Sequence, residues 1–80
     1  MPTILRIGPH RFFFYSNEGN EPMHIHVESG NATAKFWLDP KVELGMSKGY
    51  NSKDLSFLIR VVREHEGLFK EKWNEFFSRG

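Results

Sequence analysis

Two histidines two residues apart, His24 and His26, are the first feature of this chain that could do chemistry. They sit in Met23–Glu28, where apolar and polar residues alternate in the period-two pattern of a half-buried strand. On such a strand both imidazoles project from one face, roughly 6–7 Å apart at two residues of rise. That spacing suits a general acid and a general base flanking a reacting group. It equally suits two ligands of one metal ion. Lys35 falls on the facing strand, where an ammonium could hold a phosphate or a developing oxyanion. Trp37 offers a stacking surface for a base or sugar. Arg11 and Tyr15 alternate with Phe12 and Phe14, so they can share the histidine face, although the Phe12-Phe13-Phe14 run leaves the direction of that strand ambiguous. The candidate catalytic set is His24, His26, Lys35 and Tyr15, with Arg11 and Trp37 as substrate-binding residues.

The element that positions most of this set is a hairpin. Gly30-Asn31 is a favoured two-residue loop, with Gly supplying the positive φ of a type II′ turn. It places Ser29 opposite Ala32, Val27 opposite Ala34, Ile25 opposite Phe36, His26 opposite Lys35 and His24 opposite Trp37. Apolar then meets apolar on the inner face (Ile25, Val27, Ala34, Phe36). The outer face carries His24, His26, Glu28, Thr33, Lys35 and Trp37. A one-residue slip would mix the two faces.

Around the hairpin, Thr3–Ile7 and Arg11–Ser16 read as strands separated by the Gly8-Pro9 turn signal. Ser16–Pro22 reads as a polar loop without the glycine spacing or Lys-Ser/Thr ending of a phosphate-binding loop. Ala32–Leu38 ends at Asp39-Pro40. Val42–Gly45 is a fifth, short strand or an extended linker, and Gly45–Gly49 is loop-like. The period then changes. Leu55, Leu58, Val62, His65, Phe69, Trp73 and Phe76 recur at three and four residues, one helical stripe. Asn51 is a good N-cap with Asp54 three residues on. The pairs Arg60–Glu64, Glu66–Lys70 and Glu75–Arg79 support the outer helix face weakly. Gly67 costs about 1 kcal/mol in a helix interior. The segment is thus one long helix or two broken near Glu66-Gly67, and the continuous stripe favours one. The expectation is a single α+β domain over residues 1–80. A small antiparallel β-meander of 4–5 strands, within a β-rich stretch over residues 1–49, is followed by a C-terminal amphipathic helical stretch over residues 51–78, packed on the sheet.

Composition bounds the function. The chain has 80 residues, no cysteine and a formal charge of +1, so disulfides, thiolate metal sites and cysteine nucleophiles are excluded. The charge is not that of a polybasic nucleic-acid binder. No apolar run approaches the roughly 20 residues that span a bilayer. The N-terminus lacks a basic region followed by an apolar one, so the cytoplasm is the default compartment. So short a domain has a marginal core, which its heavy aromatic load would offset. Trp73, Phe76 and Phe77 at the end of the stripe fit a docked protein partner or a homodimer. No cofactor is implied. The plainer readings are a solvated or partner-covered histidine face, a packed and hydrogen-bonded His65, and solvated helix charges. A metal site lacks third and fourth ligands at a diagnostic spacing, since His10 and His65 lie on other elements.

The runs Met-Pro-Thr-Ile-Leu-Arg-Ile-Gly-Pro, Arg-Phe-Phe-Phe-Tyr-Ser-Asn-Glu-Gly-Asn-Glu-Pro, His-Ile-His-Val and Ala-Lys-Phe-Trp-Leu-Asp-Pro resemble a family of small prokaryotic proteins, a domain of unknown function (family 4160). The resemblance extends to Gly-Tyr-Asn-Ser-Lys-Asp-Leu and Trp-Asn-Glu-Phe-Phe. The chain departs from the family pattern at Met23, where a second proline is usual, and at His10, where Tyr is usual. Members often lie beside a second small gene in the manner of toxin–antitoxin pairs, an association rather than a site argument. The resemblance implies one half of such a module. As a toxin-like, metal-independent ribonuclease, it would use His24 and His26 as acid and base, Lys35 and Arg11 on phosphate, and Tyr15 and Trp37 for stacking. As the non-enzymatic half, it would bind a cognate antitoxin-like protein or operator DNA. A small metal-binding protein using His24 and His26 is the third class.

Overall fold

The computed structural model describes residues 3–16 and 19–77. Five antiparallel strands lie side by side in chain order: β1 (Thr3–Ile7), β2 (His10–Phe13), β3 (His24–Ser29), β4 (Ala32–Trp37) and β5 (Glu43–Lys48). Two helices follow, α1 (Ser52–Glu64) and α2 (Glu66–Phe77). This is the expected α+β meander.

The β3–β4 register is the one the Gly30-Asn31 turn dictates, from Ser29 opposite Ala32 to His24 opposite Trp37. Gly30 has φ +58°, and no described residue other than glycine has positive φ. Positive φ at the first central position alone is the type II′ pattern. β2 continues both faces: Phe12 lies opposite Val27 on the inner face, and Phe13 opposite His26 on the outer. The inner face is covered by the helices. Phe12, Phe14, Ile25, Val27, Ala34, Phe36 and Leu38 form one core with Leu58, Val61, Val62, Phe69 and Trp73. Phe12 stacks on Phe69 at 5.6 Å between ring centroids, and Phe14 meets Trp73 edge-on at 5.3 Å.

Beyond one-residue shifts at strand ends, three features differ from expectation. β2 ends at Phe13, short of Ser16. β5 begins at Glu43 and runs through Lys48, across the stretch expected to be a loop. All six of its residues are exposed, so no burial alternation marks it, and its pairing with β4 rests on backbone hydrogen bonds. Between Leu44, opposite Phe36, and Met46, opposite Lys35, the register shifts and leaves Gly45 as an extra residue, a β-bulge. A Cβ at Gly45 would stand 2.9 Å from Trp37 Nε1 and 3.2 Å from the Lys35 carbonyl oxygen. Glycine therefore lets the indole lie against the bulge.

The third difference is in the helices. α1 starts where expected, with Asn51 Oδ1 accepting from the Asp54 N–H at 2.8 Å. It stops at a C-cap on His65, with φ −112° and ψ 19°, so the segment is two helices. The His65 N–H still donates to the Val61 carbonyl (3.0 Å), and its ring Nδ1 donates to that same oxygen (2.9 Å). Side-chain competition for a ladder carbonyl loosens a helix locally, and Gly67 follows two residues later. His65 is thus the packed, hydrogen-bonded residue expected. Glu66 pairs with Lys70 at 2.7 Å, whereas Arg79 lies outside the described residues. Among the described residues no helix is long and apolar enough to cross a membrane.

Candidate functional site

The outer sheet face carries a second, smaller aromatic cluster. β2, β3 and β4 place Phe13, His26 and Lys35 side by side across three strands. Phe13 is only 2% exposed although it faces away from the core. It is covered by the His26 ring, stacked at 5.6 Å, by the Tyr15 edge at 5.2 Å, and by the Arg11 guanidinium 4.5 Å above the ring. Tyr15 also meets His26 edge-on at 4.6 Å. The partly buried His26 is therefore clamped between two aromatic rings.

Tyr15, His26 and Lys35 line one shallow recess of about 220 Å³, together with Thr33, Ala34, Met46 and Ser47. Its size is below the roughly 300–1,000 Å³ typical of small-molecule pockets.

His24 is placed differently. It shares a strand face with His26, ring centroids 5.1 Å apart, but is 0% exposed. The expectation that both imidazoles share an accessible surface is thus corrected: only His26 reaches solvent. The cause is long-range, since α2 brings the Trp73 ring to 4.9 Å from His24, opposite Trp37 at 5.5 Å. His24 Nδ1 donates to the Pro22 carbonyl at 2.9 Å and lies 3.9 Å from Glu21 Oε1. The 2.9 Å contact is the hydrogen bond, and 3.9 Å to the carboxylate is too long for a second one. At the same end of α2, Trp73 is buried, while the partly exposed Phe76 and Phe77 lie near Phe14 at 6.3 and 6.0 Å.

Both cations of the set have counter-charges. Arg11 donates to Glu28 Oε2 at 2.8 Å and, through Nε, to Thr3 Oγ1 at 2.7 Å. Lys35 Nζ reaches Glu21 Oε1 at 3.0 Å and sits 4.3 Å over the Trp37 ring. Trp37 is thus occupied by a lysine on one face and by the Gly45 bulge at its nitrogen. Glu21 and Phe13 join the cluster without being among the sequence-predicted residues. The triple Phe masks the direction of Phe13, and Glu21 belongs to a loop with no periodicity to place it.

Elsewhere, His10 Nδ1 lies 3.1 Å from the Tyr50 hydroxyl. The Tyr50 phenol is pushed up from 10.0 to about 12, chiefly by burial and then by the negative charges of Asp54 and Glu28. Among the described residues no group of three or more His, Asp or Glu side chains is placed to hold a metal ion.

A family model described as Domain of unknown function (DUF4160) matches residues 10–74, which spans β2 to α2 and every residue of the candidate set. No curated protein and no solved structure matches the chain.

Proposed function

The chain belongs to the DUF4160 family, and on that premise we propose that it is the toxin-like half of a bacterial two-gene module, cleaving RNA without a metal at the His26 recess. The observation that carries this reading is the convergence of Tyr15, His26 and Lys35 on one open recess. His26 takes the proton of a ribose 2′-hydroxyl, whose oxygen attacks the adjacent phosphorus. The bond from phosphorus to the 5′-oxygen breaks, and the Tyr15 phenol protonates the leaving oxygen. The His26 imidazolium then returns its proton to Tyr15, and the products end in a 2′,3′-cyclic phosphate and a 5′-hydroxyl. Lys35, released from Glu21, neutralises charge on the phosphoryl oxygens. His24, buried against His26, holds that ring in place, and Arg11 fixes it from below through Phe13.

A second reading, the non-enzymatic partner-binding half, draws support from the ion pairs that already occupy Arg11 and Lys35. The two separate cleanly. Purified protein should cleave RNA in the presence of EDTA, and His26→Ala should lower the rate by on the order of 10²–10⁴. Expression alone should arrest bacterial growth. Intact RNA and normal growth, with a tight complex formed with the product of the neighbouring gene, would establish the second reading instead.

A further inference from the structure

β5 is one of the two edges of the described sheet. β5 ends the sheet, no described strand pairs with its far side, and all six residues are exposed, Met46 at 63%. Edge strands are often blunted by bulges and lysines, and β5 has both, in the Gly45 bulge and Lys48, yet these same features make the strand self-complementary. Here the edge also borders an apolar recess of about 280 Å³ between β5 and α1, lined by Phe36, Leu44, Ser52, Leu55, Ser56 and Ile59. Leu44 remains 39% exposed at its mouth.

We infer that β5 pairs with β5 of a second copy of this chain, antiparallel about a two-fold axis between Gly45 and Met46. The strand is self-complementary. Such pairing sets Glu43 opposite Lys48 of the second copy, Leu44 opposite Ser47, and Gly45 opposite Met46, each twice by symmetry. The face pattern is compatible with this only because of the bulge. Glu43, Met46 and Lys48 lie opposite Trp37, Lys35 and Thr33, on the outer face, while Leu44 and Ser47 lie opposite Phe36 and Ala34, on the inner. With Gly45 as the extra outer residue, the order outer, inner, outer, outer, inner, outer is the same in both directions. A strand without the bulge would put Glu43 and Lys48 on opposite faces. Opposite charges directly across an antiparallel pair attract, and a two-fold interface is self-complementary by construction. The second copy would also stand beside Met46, a wall of the His26 recess, so the pairing would deepen that recess from its open side.

The test is charge exchange followed by sedimentation. The parent protein should be a dimer with measurable dissociation. Glu43→Lys or Lys48→Glu alone places like charges across both symmetric contacts and should raise the dissociation constant roughly tenfold. The double exchange Glu43→Lys with Lys48→Glu should return it to within about threefold of the parent, a rescue that a dimer using another surface would not show. Both side chains are exposed, so folding is preserved, and far-ultraviolet dichroism checks it. A protein that stays monomeric up to the concentrations used for NMR, or a dimer indifferent to both single reversals, overturns the inference.

Discussion

Replacing His24 with alanine should cost stability far more than replacing its neighbour His26. His24 is fully buried, its Nδ1 satisfies the Pro22 carbonyl, and its ring fills the space between Trp37 and Trp73. Losing the donor removes a hydrogen bond to the exposed Pro22, a cost of about 0.5–1.5 kcal/mol. The cavity left by the ring adds a contribution comparable to a small aliphatic truncation, about 1–2 kcal/mol. A total of about 2.5 kcal/mol is a large share of the roughly 4–12 kcal/mol available to a domain of 80 residues. At roughly 4–8 °C per kcal/mol, His24→Ala should melt about 10–20 °C below the parent. His26 is only partly buried, and its loss removes the ring contacts with Phe13 and Tyr15, so His26→Ala should cost about 1 kcal/mol. Thermal unfolding followed by near-ultraviolet dichroism, with urea titrations to check the ranking, measures both. If His24→Ala melts within about 4 °C of the parent, His24 is not a wedge between the two tryptophans, and the chemical role of that histidine has to be reconsidered.

Two further outcomes are expected. At Gly67 an added Cβ meets nothing within 4 Å and the backbone φ is not positive, so Gly67→Ala should stabilise the start of α2 by about 0.5–1 kcal/mol; a lower urea midpoint would show that the joint needs glycine. Tyr50 holds its proton more tightly when folded than when unfolded. Its contribution is therefore complete below pH 10.0 and lost as pH rises toward about 12. A stability–pH profile of Tyr50→Phe should be flatter than the parent's across that window, and parallel profiles would refute the assignment.

Where pattern is local, the sequence can be read to the residue. The β3–β4 register follows from one turn and a period of two, and the structure has that register. β5 carries no such signal, because an exposed edge strand with a bulge has neither alternation nor a buried side. The helix break is hidden by the apolar stripe, which continues across His65 although the backbone does not. Within the site, strand parity places His26 and Lys35. It does not foretell the burial of His24, which depends on Trp73, 49 residues later in the chain. Glu21 is found only in three dimensions, as the carboxylate that binds Lys35.

The meander order has a consequence for synthesis on the ribosome. Each strand pairs with the one made just before it, so strand pairing needs only short loops to close, and short loops close at small entropic cost. The contacts that cover the sheet are of another kind: Phe12 waits for Phe69, and Phe14 for Trp73. A nascent chain that has emerged only through β5 has every strand of the sheet but none of the helices that cover its apolar face. The apolar face is covered only once α2 has followed, because Phe69 and Trp73 lie on that last helix.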